Sequence, residues 1–374
     1  MKKISVLILV DKFDYHGSFI NGPTRNYSWL VKRIDKNKFD IFLYALRKKG
    51  KSYEIFKNAG VKARYLGLGK YNPLTTFIII SSIIKHNIDV VHLQGYGAVL
   101  FGQIAAAILR KPTIIKEEWV DPNISFLQGY LEGFLGKFTT KVIAISDYAK
   151  RFLVEKKRIK DSKIVLIPNG IPLDDFQAAT EADGEIIRKS MGIVEHETIV
   201  GIVGMLHENK GHKFFIEAAA SVTRKNPATK FLIIGDGEMR TGLEDYAKQL
   251  KVADKVLFLG HRNDMPELFK ALDIYVLASN SETWPTSLME AMAAGRAVIT
   301  TDCGGGSEIV VDGKTGLLVP VKNSKILTQK IEYLICEPEK RKELGRNALR
   351  ESMRFDIKET VSAVELLYKS CLEN

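Results

Sequence analysis

Two carboxylates in the second half of the chain stand out by their spacing. Glu282 lies in a predicted loop after the strand Ile274–Leu277, and Glu290 follows eight positions later in a helix predicted to begin near Thr286 or Ser287. A carboxylate can accept two hydrogen bonds from adjacent hydroxyls, such as those of ribose or a sugar ring. A helix N-terminus offers unpaired N–H groups and a positive dipole end to a phosphate. The pattern therefore indicates a ligand that combines hydroxyls with phosphate.

The same residues allow a purely structural interpretation. Ser287 and Glu290 have the spacing of a capping box, in which Glu290 would bind a backbone N–H of its own helix. Glu282 could equally be a solvated loop charge. The two residues alone leave both interpretations open.

Short β-branched runs alternate with helical stretches along the chain. These predicted strands and helices must position Glu282 and Glu290. The predicted strands are Ile4–Val10, Phe39–Leu46, Val61–Leu66, Asp89–Leu93, Thr113–Lys116, Lys141–Ile145, Ile164–Ile167, Ile199–Val203, Lys230–Ile234, Val256–Leu259, Ile274–Leu277 and Ala297–Thr300. Near-continuous apolar strands between helices are typical of parallel sheets covered on both faces. We predict an α/β protein of two doubly wound, Rossmann-like domains facing a central cleft, with ligands at the carboxyl ends of the strands.

Turn residues predict where the two domains meet. Pro168-Asn169-Gly170 and the polar stretch 177–184 indicate a seam between an N-terminal domain over residues 1–172 and a C-terminal domain over 185–354. The last segment carries an apolar stripe at helical spacing, formed by Val361, Val364, Leu367, Tyr368 and Cys371. It predicts a terminal helix over 355–374 that packs back on the N-terminal domain.

The composition is that of an ordinary globular protein, with 374 residues, 45% hydrophobic and 26% charged. No apolar run reaches the roughly 18 residues of a membrane span, and the stretch after Lys2 and Lys3 is too short for a signal peptide. Cys303, Cys336 and Cys371 show no metal-ligand spacing. These features predict a soluble, cytosolic protein with reduced thiols.

The positive charge is confined to the N-terminal half. Residues 1–180 hold 29 Lys and Arg against 15 Asp and Glu, a net charge of +14, whereas the rest of the chain has a net charge of −3. Such asymmetry points to an anionic partner, which could be a membrane surface, a phosphorylated substrate or nucleic acid. A merely solvated basic surface is the alternative.

Residues 274–319 resemble the signature of family 4 glycosyltransferases, which are retaining, nucleotide-sugar-dependent enzymes of the two-domain GT-B architecture. The family pattern is a Glu-x7-Glu pair, then Glu-Ala-Met-Ala-x-Gly, a Gly-Gly-x-x-Glu loop and an Asp-Gly-x-x-Gly turn. This sequence matches it with Glu282 and Glu290, Glu290–Gly295, Gly305 and Gly306 with Glu308, and Asp312-Gly313 with Gly316. Further matches are Val142–Lys150, Ile167–Ile171, Lys210–His212, Ile233–Glu238 and Phe258–Asp264. The similarity spans nearly the whole chain and is strongest from residue 142 to 320.

The resemblance implies a role for each matched donor-site residue. Glu290 would bind the ribose hydroxyls, and Glu282 would contact hydroxyls of the donor sugar as a catalytic residue. The N–H groups of Ser287 and Leu288 would hold the diphosphate. Lys210 would neutralise the β-phosphate as it departs, acting in both binding and catalysis.

Four further residues are candidates through the same resemblance. Gly204 lies beside Lys210 at a strand–loop–helix junction, and Arg262 belongs to a matched segment, so both are expected to bind the donor. Gly22 resembles the glycine loop of the family's N-terminal domain, although a simple turn is the alternative. His92 resembles the family's Val-His segment and is a catalytic candidate; a satisfied structural histidine is equally compatible with the sequence.

The sequence departs from the family pattern at three places. Met205 stands where the family often has arginine, so His207 or Arg25 would supply a second cation. Thr283–Pro285 replaces Gly-Phe-Pro, and a β-branched residue does not readily take a positive φ, which suggests a reshaped sugar pocket. Glu117–Trp119 stands where many members carry a histidine.

The resemblance also implies the reaction and its partners. We expect a retaining hexosyltransferase that needs no metal or other cofactor, since no Asp-x-Asp motif is present. The donor would be a nucleotide sugar, with UDP favoured and GDP as the alternative. The acceptor, a glycan or a lipid-linked molecule of cell-surface polysaccharide or glycolipid assembly, would bind the basic N-terminal domain. Basic clusters at Lys32-Arg33, 47–51 and 156–160 suit anionic lipid headgroups, which predicts a cytoplasmic protein peripheral to the inner face of the cell membrane.

Other functions predict different features. A GT-B nucleotide-sugar 2-epimerase would need no acceptor, and the Glu-x7-Glu pair with Glu-Ala-Met-Ala argues against it. A nucleic-acid-binding protein would interleave basic and aromatic residues on one face or carry a known module, and neither is present, so no nucleic acid is expected. A non-enzymatic membrane-binding protein stays open as an alternative. A catalytically silent scaffold of the same fold also stays open, because Met205 replaces an arginine.

Overall fold

The computed structural model describes residues 2–15, 19–20, 22–50, 52–69, 72–120 and 126–373. The chain divides into two compact units. The first comprises residues Met1–Gly170 and Ile357–Asn374, and the second comprises Ile171–Asp356.

The described part of the first unit is built on a seven-stranded parallel sheet of order β5-β4-β1-β6-β7-β8-β9. Its strands are β1 (Ile4–Val10), β4 (Phe39–Ala45), β5 (Lys62–Tyr65), β6 (Val90–Gln94), β7 (Thr113–Glu117), β8 (Lys141–Ala144) and β9 (Ile164–Leu166), and β2 (Asp14–Tyr15) and β3 (Phe19–Ile20) form a short antiparallel ladder. Its helices are α1 (Gly22–Arg33), α2 (Ser52–Asn58), α3 (Leu74–Lys85), α4 (Tyr96–Ile108), α5 (Phe126–Gly136), α6 (Asp147–Glu155) and the C-terminal α16 (Ile357–Ser370).

Alternation along β6 shows how the sheet separates its two covering layers. Val91 and Leu93 are fully buried in a core with residues of α3 and α4. His92, between them, points to the other face, where it contacts Tyr27 of α1 and Tyr368 of α16. The strand is therefore covered on both sides, as in a doubly wound fold.

The C-terminal helix α16 belongs to the first unit although it follows the whole second unit in sequence. Its Thr360 donates a hydrogen bond of 2.9 Å to the Pro168 carbonyl. The Glu365 carboxylate accepts one of 2.7 Å from the backbone of Asp35. All five residues of the predicted apolar stripe of this helix are buried.

The second unit contains a six-stranded parallel sheet of order β12-β11-β10-β13-β14-β15. Its strands are β10 (Thr198–Val203), β11 (Thr229–Ile234), β12 (Val256–Gly260), β13 (Ile274–Leu277), β14 (Ala297–Thr301) and β15 (Leu317–Val319). Its helices are α7 (Leu173–Ala178), α8 (Glu181–Ser190), α9 (His212–Lys225), α10 (Arg240–Gln249), α11 (Met265–Ala271), α12 (Thr286–Ala293), α13 (Gly306–Ile309), α14 (Ser324–Cys336) and α15 (Pro338–Ser352). Fully buried Phe215, Phe231 and Ile299 lie in its main core.

The prediction of two doubly wound sheets is confirmed. Each of the twelve predicted strands corresponds to a strand of the structure, with ends that differ by no more than one residue. Strand β15, whose three residues are fewer than in a usual strand, is not among the predicted strands, and neither are the two-residue strands β2 and β3.

The stretch between the two predicted domains is helical rather than a polar linker. In α7, Leu173 and Phe176 are buried in the second unit. Helix α8 begins with a capping box, in which Thr180 accepts a bond from the Asp183 N–H and the Asp183 carboxylate accepts one from the Thr180 N–H. Such a cap stabilises the helix start.

No helix among the described residues is both long enough and apolar enough to cross a bilayer.

Two glycines in helices of the second unit give matched predictions of stability. A Cβ at Gly184 would lie 2.6 Å from the backbone carbonyl of Lys270, whereas one at Gly242 would meet nothing within 4 Å. We expect Gly184→Ala to destabilise the protein by about 1–3 kcal/mol through overpacking, and Gly242→Ala to stabilise it by about 0.4–1 kcal/mol through the unfolded state. Urea unfolding of both variants measures the difference. Equal effects would contradict the close approach of α8 to α11.

Candidate active site

Two loops at the carboxyl edge of the second sheet are joined to each other. They follow the neighbouring strands β10 and β13 and span residues 204–211 and 278–285. The N–H of Asn280 donates to the carbonyl of Asn209 at 2.7 Å, and the Asn209 side chain donates to the carbonyl of Ser281 at 2.9 Å. These bonds hold the two loops in a fixed relation.

An ion pair completes the connection between these loops. The Nζ of Lys210 lies 2.7 Å from Oε1 of Glu282, and Glu282 is only 9% exposed. The same Oε1 accepts a hydrogen bond of 2.6 Å from the hydroxyl of Ser279. The structure therefore brings together the predicted phosphate ligand and the predicted sugar ligand.

Gly211 makes this approach sterically feasible. Its φ is +68°, and a Cβ there would lie 1.9 Å from the carbonyl oxygen of Ala278 at the end of β13. Only glycine fits both the left-handed backbone and the contact. Gly211 also precedes helix α9, so it fixes Lys210 at the junction of loop and helix.

A third loop, residues 302–306 after β14, packs against the same place. The Gly305 N–H donates to the Glu282 carbonyl at 2.9 Å, and a Cβ at Gly305 would lie 2.0 Å from the carbonyl oxygen of Thr283. The Thr301 hydroxyl donates to the Ser279 carbonyl at 2.6 Å. The Cys303 thiol lies in this loop, and burial raises its pKa to about 11. The close approach to the Thr283 carbonyl explains the glycine at position 305 as a packing requirement.

Helix α12 begins at Thr286 and has no side-chain cap. The capping-box alternative is therefore wrong, because Ser287 lies within the helix and its hydroxyl accepts a hydrogen bond of 2.8 Å from Tyr275. Glu290 is fully buried. The N–H of Leu288 donates to the Pro285 carbonyl at 3.2 Å, so binding of phosphate there would have to share or replace this bond.

Two further glycines line the adjacent end of β10. A Cβ on Gly204 would reach the aliphatic part of the Lys210 side chain at 3.8 Å, and a Cβ on Gly235 would lie 2.0 Å from the Gly204 carbonyl. His207, a candidate second cation, accepts a hydrogen bond at Nδ1 from the Asn209 N–H at 3.2 Å, and its Nε2 lies 3.8 Å from Glu238. Met205 contributes no charge. Lys210 therefore provides the permanent positive charge of the loop 204–211.

Arg262 is held by a neighbouring carboxylate. Its Nε donates to Asp264 at 2.8 Å and a second guanidinium nitrogen also bonds that carboxylate. The hydrogen bond from Arg262 lowers the pKa of Asp264. Any donor contact of Arg262 would therefore come from a guanidinium that is already paired.

His92 lies in the interior of the first unit. Its Nδ1 is 2.7 Å from the Tyr368 hydroxyl and its Nε2 is 3.4 Å from the Tyr27 hydroxyl, and the residue is fully buried. Burial, and then the charge of Lys116, lower the pKa of His92 to about 3. This geometry favours the structural one of the two interpretations that the sequence left open.

The two other first-unit candidates lie on α1. Gly22 is the first residue of the helix, and a Cβ there would meet nothing within 4 Å; residues 16–18 and 21 of its loop lie outside the described residues. The guanidinium of Arg25 lies 4.8 Å from the centre of the Trp29 ring, and burial lowers its pKa to about 10.

The glutamates that replace a family histidine have separate roles in the first unit. Glu118 pairs with the buried Lys116 at 2.6 Å and accepts a hydrogen bond of 2.7 Å from Gln94. Glu117 pairs with Lys157 on the other side of β7, and burial raises the pKa of Glu117. Sequence reasoning missed these networks, as it missed Asn209, because single polar residues in loops and strand ends carry no periodic signal.

Among the described residues, no group of three or more His, Cys, Asp or Glu side chains is arranged to hold a metal ion.

Two family models together match most of the chain. The model described as "Glycosyl transferases group 1" matches residues 183–351, and "Glycosyltransferase Family 4" matches residues 20–175. The chain belongs to glycosyltransferase family 4.

Family 4 relatives from two bacteria show the extent of the sequence similarity. UDP-Gal:alpha-D-GlcNAc-diphosphoundecaprenol alpha-1,3-galactosyltransferase of Escherichia coli is 28% identical over 64% of this chain and 64% of that enzyme. N,N'-diacetylbacillosaminyl-diphospho-undecaprenol alpha-1,3-N-acetylgalactosaminyltransferase of Campylobacter jejuni is 26% identical over 82% of this chain and 84% of that enzyme. The match to the Escherichia coli enzyme thus spans less than two thirds of its length.

Solved structures show the fold of this family 4 member. Anabaena Alr3699/HepE in complex with UDP has a TM-score of 0.86 at 22% identity and covers 98% of this chain and 100% of that one. The lipopolysaccharide glycosyltransferase WaaG has a TM-score of 0.73 at 18% identity, covering 96% and 98%. The protein has the GT-B fold, as predicted.

The buried His92 gives a prediction of pH dependence. The unfolded chain takes up a proton at this imidazole near pH 6.5, whereas the folded protein does so only near pH 3. Stability is therefore lost as the pH falls from the higher value toward the lower one, and His92→Gln should remove about 1 kcal/mol per pH unit of that loss. Urea unfolding in a pH series measures the slope. An unchanged slope would contradict a neutral, buried His92.

Proposed function

We propose that this protein is a retaining, metal-independent glycosyltransferase that moves a hexose from a nucleotide-diphosphate sugar to a hydroxyl acceptor. One observation carries the proposal. The Lys210 ammonium and the Glu282 carboxylate are paired at the carboxyl edge of the second sheet, in the loop region that leads into the N-terminus of α12. A nucleotide sugar presents phosphate and hydroxyls together, which is the chemistry that these groups recognise.

Donor binding exchanges the partner of Lys210. Without a donor its ammonium is neutralised by Glu282 at 2.7 Å. A diphosphate carries more charge than the carboxylate, so Lys210 turns to the β-phosphate and Glu282 is released to accept hydrogen bonds from the sugar hydroxyls. The carboxylate of Glu290, a buried residue of α12, accepts hydrogen bonds from the ribose hydroxyls.

The bond that breaks joins the anomeric carbon to a β-phosphate oxygen, and the bond that forms joins that carbon to the acceptor oxygen. The acceptor's proton passes to the departing phosphate on the same face of the sugar. Lys210 and N–H groups at the start of α12 stabilise the negative charge that develops on the leaving diphosphate. The protein supplies position and charge rather than a nucleophile.

UDP-sugars are the favoured donors, with GDP-sugars as the alternative. The Escherichia coli relative is named for UDP-Gal, and the structural neighbour from Anabaena was solved with UDP and with UDP-glucose. Both facts support a uridine nucleotide here.

The acceptor is a lipid-linked glycan of polysaccharide or glycolipid assembly, bound by the basic first unit at an anionic membrane surface. The Escherichia coli and Campylobacter jejuni relatives are named for diphosphate-linked undecaprenol acceptors. The net charge of +14 over residues 1–180 complements the phosphates of such an acceptor and of lipid headgroups.

Nucleotide binding tests the proposed donor. UDP, GDP, ADP and CMP are compared by thermal unfolding, and a ligand at 100 times its dissociation constant should stabilise the protein by about 2.7 kcal/mol. We expect UDP to do so, and Glu290→Gln to abolish most of the effect because one of the two charged oxygens that accept from the ribose hydroxyls becomes an amide donor. Glu339→Ala, an exposed change on α15, is the matched control.

Release of UDP from UDP-galactose or UDP-glucose, in the presence of a diphosphate-linked lipid, then tests the transfer. Stabilisation by none of the four nucleotides, or an undiminished effect of UDP on Glu290→Gln, would contradict the proposed donor site.

A further inference from the structure

Helices α3 and α4 expose apolar residues where surface helices normally carry charge. On α3, Leu74, Phe77 and Ile84 are 58–69% exposed and follow one another at helical spacing. On α4, Ile104 and Ile108 are 41% and 60% exposed. Helix α4 contains no charged residue, and α3 contains none before its last one. A helix that is apolar on its outer face as well as its inner face needs a second apolar environment.

The end of α5 continues the same surface. The Gln103 side chain of α4 donates to the carbonyl of Leu135 on α5 at 3.2 Å, so the two helices are neighbours. Phe134 on α5 and Phe138 just after it are 48% and 60% exposed, with ring centres 5.8 Å apart. Because α3 packs against α4, the three helices form one continuous layer.

Among the described residues of α3, α4 and α5 and of the turns that follow them, the exposed charges are all positive. They are Lys85, Arg110 and Lys137, and the half-buried Lys111 lies beside Arg110. All four stand at or just beyond the C-terminal ends of these helices. Over residues 74–89, 96–111 and 126–140, the two carboxylates are both engaged. Asp89 accepts a hydrogen bond from the Ser5 N–H at 2.9 Å, and Glu132 pairs with Lys157 at 2.7 Å.

We propose that this surface, which we call the α3–α5 face, docks the first unit on an anionic lipid bilayer. Its apolar side chains enter the interface, and the cationic rim contacts lipid phosphates. If a second copy of the chain packed through the same face, its cations would lie against these cations, and the described carboxylates of the face are already engaged. An anionic membrane supplies the opposite charge. The inference rests on the proposed function, in which the acceptor is lipid-linked.

This assignment differs from the one that the basic clusters alone suggest. Lys32 and Arg33 end helix α1, which lies with α16 on the opposite face of the sheet from α3 and α4. The α3–α5 face predicts that these two charges contribute little to membrane binding. They therefore provide a control that is matched in charge and belongs to the same unit.

Co-sedimentation of the full chain with vesicles at low salt tests the proposal. Vesicles of phosphatidylcholine mixed with phosphatidylglycerol are compared with phosphatidylcholine alone. We expect the wild type to bind the anionic vesicles, and the double variants Phe77→Ser/Ile84→Ser and Arg110→Glu/Lys111→Glu each to lose about tenfold or more in affinity. Lys32→Glu/Arg33→Glu and Leu366→Ser, which replaces a 64% exposed leucine on α16, should stay within about twofold.

Three results would overturn the proposal. They are a wild type that does not bind anionic vesicles, control variants that lose as much affinity as the α3–α5 variants, and a dimeric wild type that Phe77→Ser/Ile84→Ser dissociates. Stabilisation by UDP is measured on the same variants, because all the changed residues belong to the first unit. Retained stabilisation with lost vesicle binding separates the docking face from the donor site.

Discussion

The ion pair between Lys210 and Glu282 organises the carboxyl edge of the second unit. It depends on one backbone position, since Gly211 alone allows the loop after β10 to lie against the end of β13. The hydrogen bonds around Asn209 and the packing of Gly305 on Thr283 then fix three loops as one surface. Because the two charges neutralise each other, both can lie at a partly buried edge of the sheet.

The first unit is organised around a different constraint, a row of buried polar groups across its sheet. His92 is bonded to tyrosines of α1 and α16, and Lys116 and Glu118 form a buried pair close by. Buried polar groups of this kind are stable only when each has a partner. The C-terminal helix therefore does more than cover apolar surface, because its Tyr368 provides a partner that His92 needs.

Much of the fold can be predicted from the sequence, and candidate site residues can be named from it, because apolar periodicity and glycine-rich motifs are local signals. The strands around Glu282 and Glu290 could be predicted for this reason. The partners of these residues could not: nothing in the order of residues shows that Lys210 bonds Glu282 or that Ser279 supports the same carboxylate. His92 illustrates the opposite case, in which a motif suggests chemistry and the tertiary contacts favour a structural role.

Calorimetric binding of UDP and of a UDP-sugar to Glu282→Gln tests the proposed exchange of partners at Lys210. Glutamine keeps the shape of the side chain and removes the charge that neutralises Lys210. We expect UDP to bind the variant more tightly than the wild type, while the additional affinity contributed by the sugar is lost. An equal loss of affinity for both ligands would contradict it, because Glu282 would then serve only to position Lys210.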